Sequence, residues 1–232
     1  MQVDVKKILI KPISSDVAKK GVLKWHYSGK VVTNSTLHFG AFYNDVLCGV
    51  MSFGPSMDKR KLIGLVRDTK WNGFIELNRM AFSDVLPKNS ESRCISVALK
   101  LIKKHYPNIE WVVSFADGTQ CGDGTIYRAS GFVLTQIKKN TTILESPTGE
   151  KVSLLTLDTS PAKWAVKYGL DPRFANSKTF KESAGFKRSQ GFMLRYVFFL
   201  NPEARKRLTV EEIPFSKIKE MHASMYRGKS TD

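Results

Sequence analysis

Cysteine is scarce in this chain of 232 residues: Cys48, Cys94 and Cys121 are the only three, and no CxxC pair is present. That rules out a disulfide framework and a thiolate zinc knuckle, and it leaves free thiols as the expectation. Cys121 stands out only because its loop is rich in glycine. No run of about 18 uncharged apolar residues is available to span a bilayer. The opening MQVDVKKILIKPI is basic but has no apolar h-region or small-residue cleavage site, so the expectation is a cytoplasmic chain. Internal repeats and low-complexity segments are absent. The Gly118 to Gly124 loop lacks the Lys-Ser/Thr of a P-loop and the spacing of a dinucleotide fingerprint.

Acidic residues are also few. Twenty-one Asp plus Glu stand against 37 Lys plus Arg, a formal net charge of +16. A field of that size steers polyanions, and solubility alone does not need it. Residues 160 to 232 contain 15 basic and 7 acidic residues, half of the excess. Nucleic-acid contacts are therefore expected there, with Lys187, Arg188, Arg205, Lys206 and Arg207 as candidates.

The pattern along the chain predicts an α/β protein of the α+β kind. KILIKPI reads as a strand, and Ser15 with Asp16 as the cap of a helix over about 16 to 27. Two alternating segments flank Asn44-Asp45, which signals a hairpin. Lys61 to Thr69 reads as a short helix and GFIELNRMAF as a strand. Asn89-Ser90 opens the strongest helix, whose apolar residues, from Ile95 to Ile102, form a wide buried stripe. IEWVVSFAD is a buried strand, followed by the loop and a short helix, TIYRASG. Val133 to Leu144 and Lys151 to Leu157 read as two more strands, 161 to 168 as a helix and MLRYVFFLN as a core strand. The expected organisation is a catalytic core over 1–158 and a basic segment over 159–232 that completes the sheet and touches nucleic acid.

Chemistry-bearing residues cluster in a few strings. Trp25-His26-Tyr27-Ser28 ends the first helix, and His26 there also suits a last-turn carbonyl contact. Arg79 lies in Glu76-Leu77-Asn78-Arg79-Met80 and also reads as an ion-pair partner of Glu76 or Asp117. Asp117 closes an otherwise apolar strand, where α/β folds place ligand sites. Tyr127 lies in Tyr127-Arg128-Ala129-Ser130-Gly131-Phe132 and also reads as core.

Together, WHYS, ELNRM, SFAD and IYRASGF, in this order and register over about residues 7 to 135, resemble the Mom family of phage DNA-modification proteins. The resemblance implies a GNAT-like acyltransferase fold, with a central mixed, mostly antiparallel sheet flanked by helices whose fourth and fifth strands splay apart to admit a donor. It implies conversion of adenine in DNA to an N6-carbamoylmethyl derivative that blocks restriction enzymes, carried out in the host cytoplasm. It marks His26, Tyr27, Asp117 and Tyr127 as catalytic, and Arg79 and Ser96 as donor-binding. Iron is a candidate cofactor, with His26, Tyr27, Asp117 and Tyr127 as the nitrogen and oxygen ligands. A second histidine for a facial triad is not evident, since His38, His105 and His222 have no matching spacing.

One departure concerns the donor. The loop that cradles pyrophosphate in acetyl-CoA enzymes needs glycines, but Phe82 to Ser92 reads FSDVLPKNSES. The donor is therefore left open between an acyl-CoA and an aminoacyl-type group. The expected partner is double-stranded DNA with the adenine flipped out and stacked on Tyr27, Tyr127 or Trp25. A homodimer is left open. Asp117 would then accept the N6 proton, and Arg79 would hold a carbonyl or negative part of the donor. Two other classes compete: an N-acyltransferase acting on a small amine or a protein, which leaves the charge unexplained, and a non-catalytic DNA-binding protein, which leaves the polar strings unexplained.

Overall fold

The computed structural model describes residues 4–174, 181–226 and 228–231. The chain divides into two compact units, each discontinuous in sequence. The first holds residues 1–115, 124–136 and 195–214; the second holds 116–123, 137–194 and 215–232. The basic segment expected over 159–232 is thus shared between them.

Seven strands form the main sheet: β1 (Leu9–Pro12), β2 (Leu37–Tyr43), β3 (Val46–Gly54), β4 (Phe74–Phe82), β5 (Trp111–Asp117), β6 (Val133–Lys139) and β10 (Phe192–Phe199). Their order is β1-β2-β3-β4-β5-β10-β6. The first four pair antiparallel, and β4 pairs with β5 in parallel. This is the mixed, mostly antiparallel sheet expected from the sequence. The turn between β2 and β3 has positive φ at both Asn44 (49°) and Asp45 (60°), as a two-residue hairpin that follows the strand twist requires.

Two irregularities position the site. β4 and β5 are paired only from Phe74 opposite Trp111 to Glu76 opposite Val113, although β4 runs on to Phe82 and β5 to Asp117. The expected splay is therefore present. Between β3 and β4 the register jumps from Ser52 opposite Arg79 to Phe53 opposite Leu77, so Asn78 is the extra residue of a bulge, a device that re-aims side chains.

Helix α1 (Ser15–Trp25) covers one face of the sheet by laying Val22 on Val50 and Ala81. Ser14 caps it, one residue before the expected Ser15-Asp16 pair, by accepting the Val17 amide at 3.4 Å. Helix α3 (Ser90–His105) buries Cys94, Ile95, Ala98, Leu99 and Ile102; each large apolar residue among them contributes about 1.5–3 kcal/mol. The core of the first unit centres on the stacked rings of Phe74 and Trp111, 4.2 Å apart. The Trp111 indole donates to Thr69 Oγ1 at 3.1 Å.

Two local expectations are corrected. Lys61 to Thr69 is not one helix: α2 (Lys59–Leu62) passes into a 3₁₀ turn over Ile63–Leu65, and the chain leaves helical space by Asp68 at φ 58°. The predicted strand over Lys151 to Leu157 stops at Ser153, which caps α4 (Leu154–Thr159) by accepting the Thr156 amide. In the second unit, β7 (Ile143–Glu145) pairs with both β8 (Lys151–Ser153) and β9 (Lys187–Arg188). Leu144, Val152, Leu157, Trp164 and Ala165 form the core of that unit. Among the described residues no helix is long and apolar enough to cross a membrane.

Candidate functional site

The first unit gathers polar side chains beyond the C-terminal end of α1. Ser52 lies opposite His38 on β2 and opposite Arg79 on β4, so the three side chains share one face of the sheet. Val50 and Ala81, two residues away on β3 and β4, place that face under α1. His38 Nδ1 lies 2.9 Å from the nearly buried Ser52 hydroxyl. Its pKa is lowered, first by burial and then by the charge of Lys19.

His26 follows the last turn of α1, and its amide donates to the Val22 carbonyl. The Ser28 amide donates to His26 Nδ1 at 3.1 Å, and the Ser28 hydroxyl lies 2.8 Å from the same nitrogen. Burial, and then the charge of Arg79, lowers the pKa of the ring to about 4. His26 is therefore neutral at pH 7, with its Nδ1 lone pair engaged and its proton on Nε2. Tyr27 is 54% exposed and lies 4.2 Å from the His26 ring, centroid to centroid.

Arg79 donates from Nε to the Lys30 carbonyl at 3.2 Å and from a terminal nitrogen to the Asn78 carbonyl at 3.1 Å. Among the described residues no carboxylate forms an ion pair with it, so its charge is free to bind an oxygen atom of a ligand. Glu76 is half-buried. Burial pushes its carboxyl above the ordinary value, against the lowering effects of hydrogen bonds from Ser56 and Asn78 and of the Arg79 charge. Asn78 also accepts the Ser35 hydroxyl at 3.0 Å. Asn34 donates to the Pro55 carbonyl at 2.6 Å, and its own buried side-chain oxygen has no partner among the described residues.

The structure thus brings together His26, Tyr27 and Arg79 from the sequence-derived set. Tyr127, also in the first unit, packs its ring 5.5 Å from Phe132 and 5.3 Å from the fully buried Tyr196. At Gly124, just before it, φ is 87°, and a Cβ would run into the Tyr196 ring. Ser96 turns its hydroxyl back to the Ser92 carbonyl at 2.9 Å.

Asp117 belongs to the second unit. Its carboxylate organises its own loop: it accepts the Thr119 amide at 3.0 Å, the Thr119 hydroxyl at 2.6 Å and the Gln120 amide group at 2.8 Å. Lys187 and Arg188 are exposed on β9. Arg205, Lys206 and Arg207 are each paired, with Glu212, Glu203 and Glu110 respectively.

Glu76, Ser28 and His38 were not singled out as functional by the sequence. Glu76 was readable there only as a partner for Arg79, and His38 only as a histidine of unmatched spacing. The alternation that places His38 opposite Ser52 was the one available signal.

The candidate iron ligands do not fit a metal ion in this arrangement. An Nε2–H on His26 has no lone pair to offer, and the Asp117 carboxylate is occupied by three donors. Among the described residues no group of three or more His, Cys, Asp or Glu is placed to hold a metal. The start of α3 does not fit a CoA pyrophosphate either. No glycine opens its backbone, Glu91 puts a negative charge in the first turn, and the Ser90 and Ser92 hydroxyls donate to the Pro87 and Asn89 carbonyls.

The model of the Mom protein family matches residues 7–217. This chain belongs to the Mom family. A relative, the methylcarbamoylase Mom of Escherichia phage Mu, is 37% identical over 207 residues, covering 89% of this chain and 81% of the phage protein. This chain is also similar to solved acetyltransferases. A Bacillus subtilis acetyltransferase in complex with CoA shares 13% identity with a TM-score of 0.44, over 83% of this chain and 99% of the other. The ribosomal-protein-S18-alanine N-acetyltransferase of Escherichia coli shares 9% identity with a TM-score of 0.45, over 84% and 94%.

Proposed function

We propose that this chain is a DNA-modifying transferase that converts adenine in phage DNA to an N6-carbamoylmethyl-type derivative, and so protects that DNA from restriction enzymes in the host cytoplasm. The observation that carries the reading is the 37% identity to a methylcarbamoylase across 89% of the chain. The +16 charge supports a polyanionic substrate over a small amine or a basic protein.

The N6 amine of adenine is a weak nucleophile because its lone pair is delocalised into the ring, and within a duplex it is also paired and stacked. The target base therefore has to leave the helix, which costs a few kcal/mol. Tyr27, half exposed beside His26, offers a face on which the base can stack.

Arg79 and the Nε2–H of neutral His26 supply two donors for a carbonyl or carboxylate of the incoming group. As the new C–N bond forms, the donor's bond to its leaving group breaks, the leaving group departs with that electron pair, and the amine must lose a proton. Glu76 is placed to accept it, since desolvation raises its carboxyl above the ordinary value and so makes it more basic. Asp117, whose oxygens are held by Thr119 and Gln120, shapes the loop after β5. Lys187 and Arg188 add charge for phosphate contacts, whereas Arg205, Lys206 and Arg207 are largely neutralised by their partners.

The test is nucleoside mass spectrometry of plasmid DNA from cells expressing the chain, together with digestion of that DNA by restriction enzymes whose sites contain adenine. A new adenosine derivative and resistance to cleavage are expected. Unmodified, cleavable DNA would overturn the proposal.

A further inference from the structure

We infer that the surface formed by α2 and the loop over residues 67–72 is a duplex-DNA docking surface of the first unit, lying beside the candidate site; this rests on the reading of the chain as a DNA-modifying enzyme. Charge count alone favours the C-terminal segment for phosphate contacts, but this surface has the stronger combination of features. Three of its cations, Arg60, Arg67 and Lys70, are exposed and make no side-chain hydrogen bond or ion pair among the described residues. Across residues 57–72 five basic residues face two acidic ones, Asp58 and Asp68, and Asp58 is already matched by Lys61 at 3.6 Å.

Large apolar groups stand among these charges. Trp71 is 54% exposed and Met57 74%. Such side chains on a basic surface suit contact with base steps, where apolar wedges and aromatic rings unstack or cap the bases. Lys59 ties the two segments together: its ammonium lies 4.6 Å from the Trp71 ring centroid and donates to Asn72 at 3.1 Å. The same ammonium lies 5.9 Å from the Phe74 ring centroid, so it links the exposed indole to the edge of the core that Phe74 and Trp111 form.

The surface connects to the candidate site through the chain itself. Met57 follows Ser56, which hydrogen bonds Glu76, and Asp58 also acts on the Glu76 carboxyl. Asn34 contacts both the Pro55 carbonyl and the Met57 sulfur. A duplex seated on Arg60, Arg67 and Lys70 would therefore present its bases next to the residues proposed to receive the extruded adenine.

The experiment uses the full chain and a labelled duplex of about 20 base pairs, about two helical turns at 3.4 Å per step. Affinity is measured by fluorescence anisotropy over a range of salt concentrations, with melting temperatures as a fold control. In the triple variant Arg60→Gln, Arg67→Gln, Lys70→Gln, the log–log salt slope should fall by about 2 to 3, near 0.9 for each phosphate that is no longer neutralised. Trp71→Ala should weaken binding about tenfold while leaving the slope in place. A triple variant with wild-type affinity and slope, in a protein that still modifies DNA, would overturn the docking surface alone. Wild-type protein that binds no duplex would overturn the DNA reading as well, and so would binding only to phosphatidylserine vesicles.

Discussion

Lowering the pH from 7 toward 4 should weaken the first unit through His26. Burial, with help from Arg79, keeps the folded ring neutral down to about pH 4, whereas an unfolded chain protonates it near 6.5. Because the folded-state value is depressed, the stabilisation is complete above about pH 6.5 and is lost as the pH falls through the interval down to about 4. A displacement from 6.5 to about 4 corresponds to roughly 3 kcal/mol at most. Solvent screening of a ring that is only partly enclosed brings this to about 1–2 kcal/mol. His26→Gln keeps an acceptor for the Ser28 amide but does not titrate. Urea unfolding of both proteins at pH 7, 6 and 5 should show wild type losing about 1 kcal/mol more than the variant by pH 5. If the two lose stability in parallel, His26 titrates as a solvated histidine and the desolvation argument fails.

Glu76→Gln should lower the rate of adenine modification by about 10²- to 10⁴-fold if that carboxyl takes the N6 proton. The raised folded-state value means that wild type loses stability as the pH rises through the carboxylate range. The Gln variant should therefore gain relative stability over the same range, and a modification rate close to wild type would assign the proton elsewhere. Asp117→Asn replaces one of the accepting oxygens beside Thr119 or Gln120 with a donor; it should destabilise the loop by about 1–3 kcal/mol. Retained folding with complete loss of modification would instead make Asp117 the reacting carboxylate. Ser96→Ala removes only a bond to the Ser92 carbonyl, so modification should continue near its normal level, and a strong loss would place Ser96 at the donor.

The sheet was legible in the sequence because its signals are local. Asn44-Asp45 between alternating segments dictates a tight hairpin, and the apolar stripe from Ile95 to Ile102 dictates α3. The helix over Leu154–Thr159 was missed because Leu154, Leu155 and Leu157 suit a strand as well as a helix, and Ser153 capping decides between them. At the site, His26 and Arg79 were found through the motif resemblance, but the neutral, Nε2-protonated state of His26 depends on a turn that puts the Ser28 amide on Nδ1. Asn78 lies inside a recognised motif, yet its role as a bulge residue follows from cross-strand register, which no single segment encodes. The charge count pointed to a polyanion and to the C-terminal third. It does not reveal which cations are already paired, as Arg205 and Arg207 are, and which, like Arg60 and Arg67, are left to bind.

The central claim is that the His26–Arg79 pair holds the group that is transferred to adenine in DNA, and Arg79→Gln tests it most directly. DNA from cells expressing wild type or the variant is digested to nucleosides and analysed by mass spectrometry, with duplex affinity of the purified variant measured alongside. Arg79 is partly enclosed and, among the described residues, donates to two carbonyls, so Gln in its place should leave the fold and the salt dependence of DNA binding intact. The account predicts a new adenosine derivative in the wild-type sample and its loss from the variant sample while DNA binding persists. Adenine modified to the same extent by the Gln variant would contradict it.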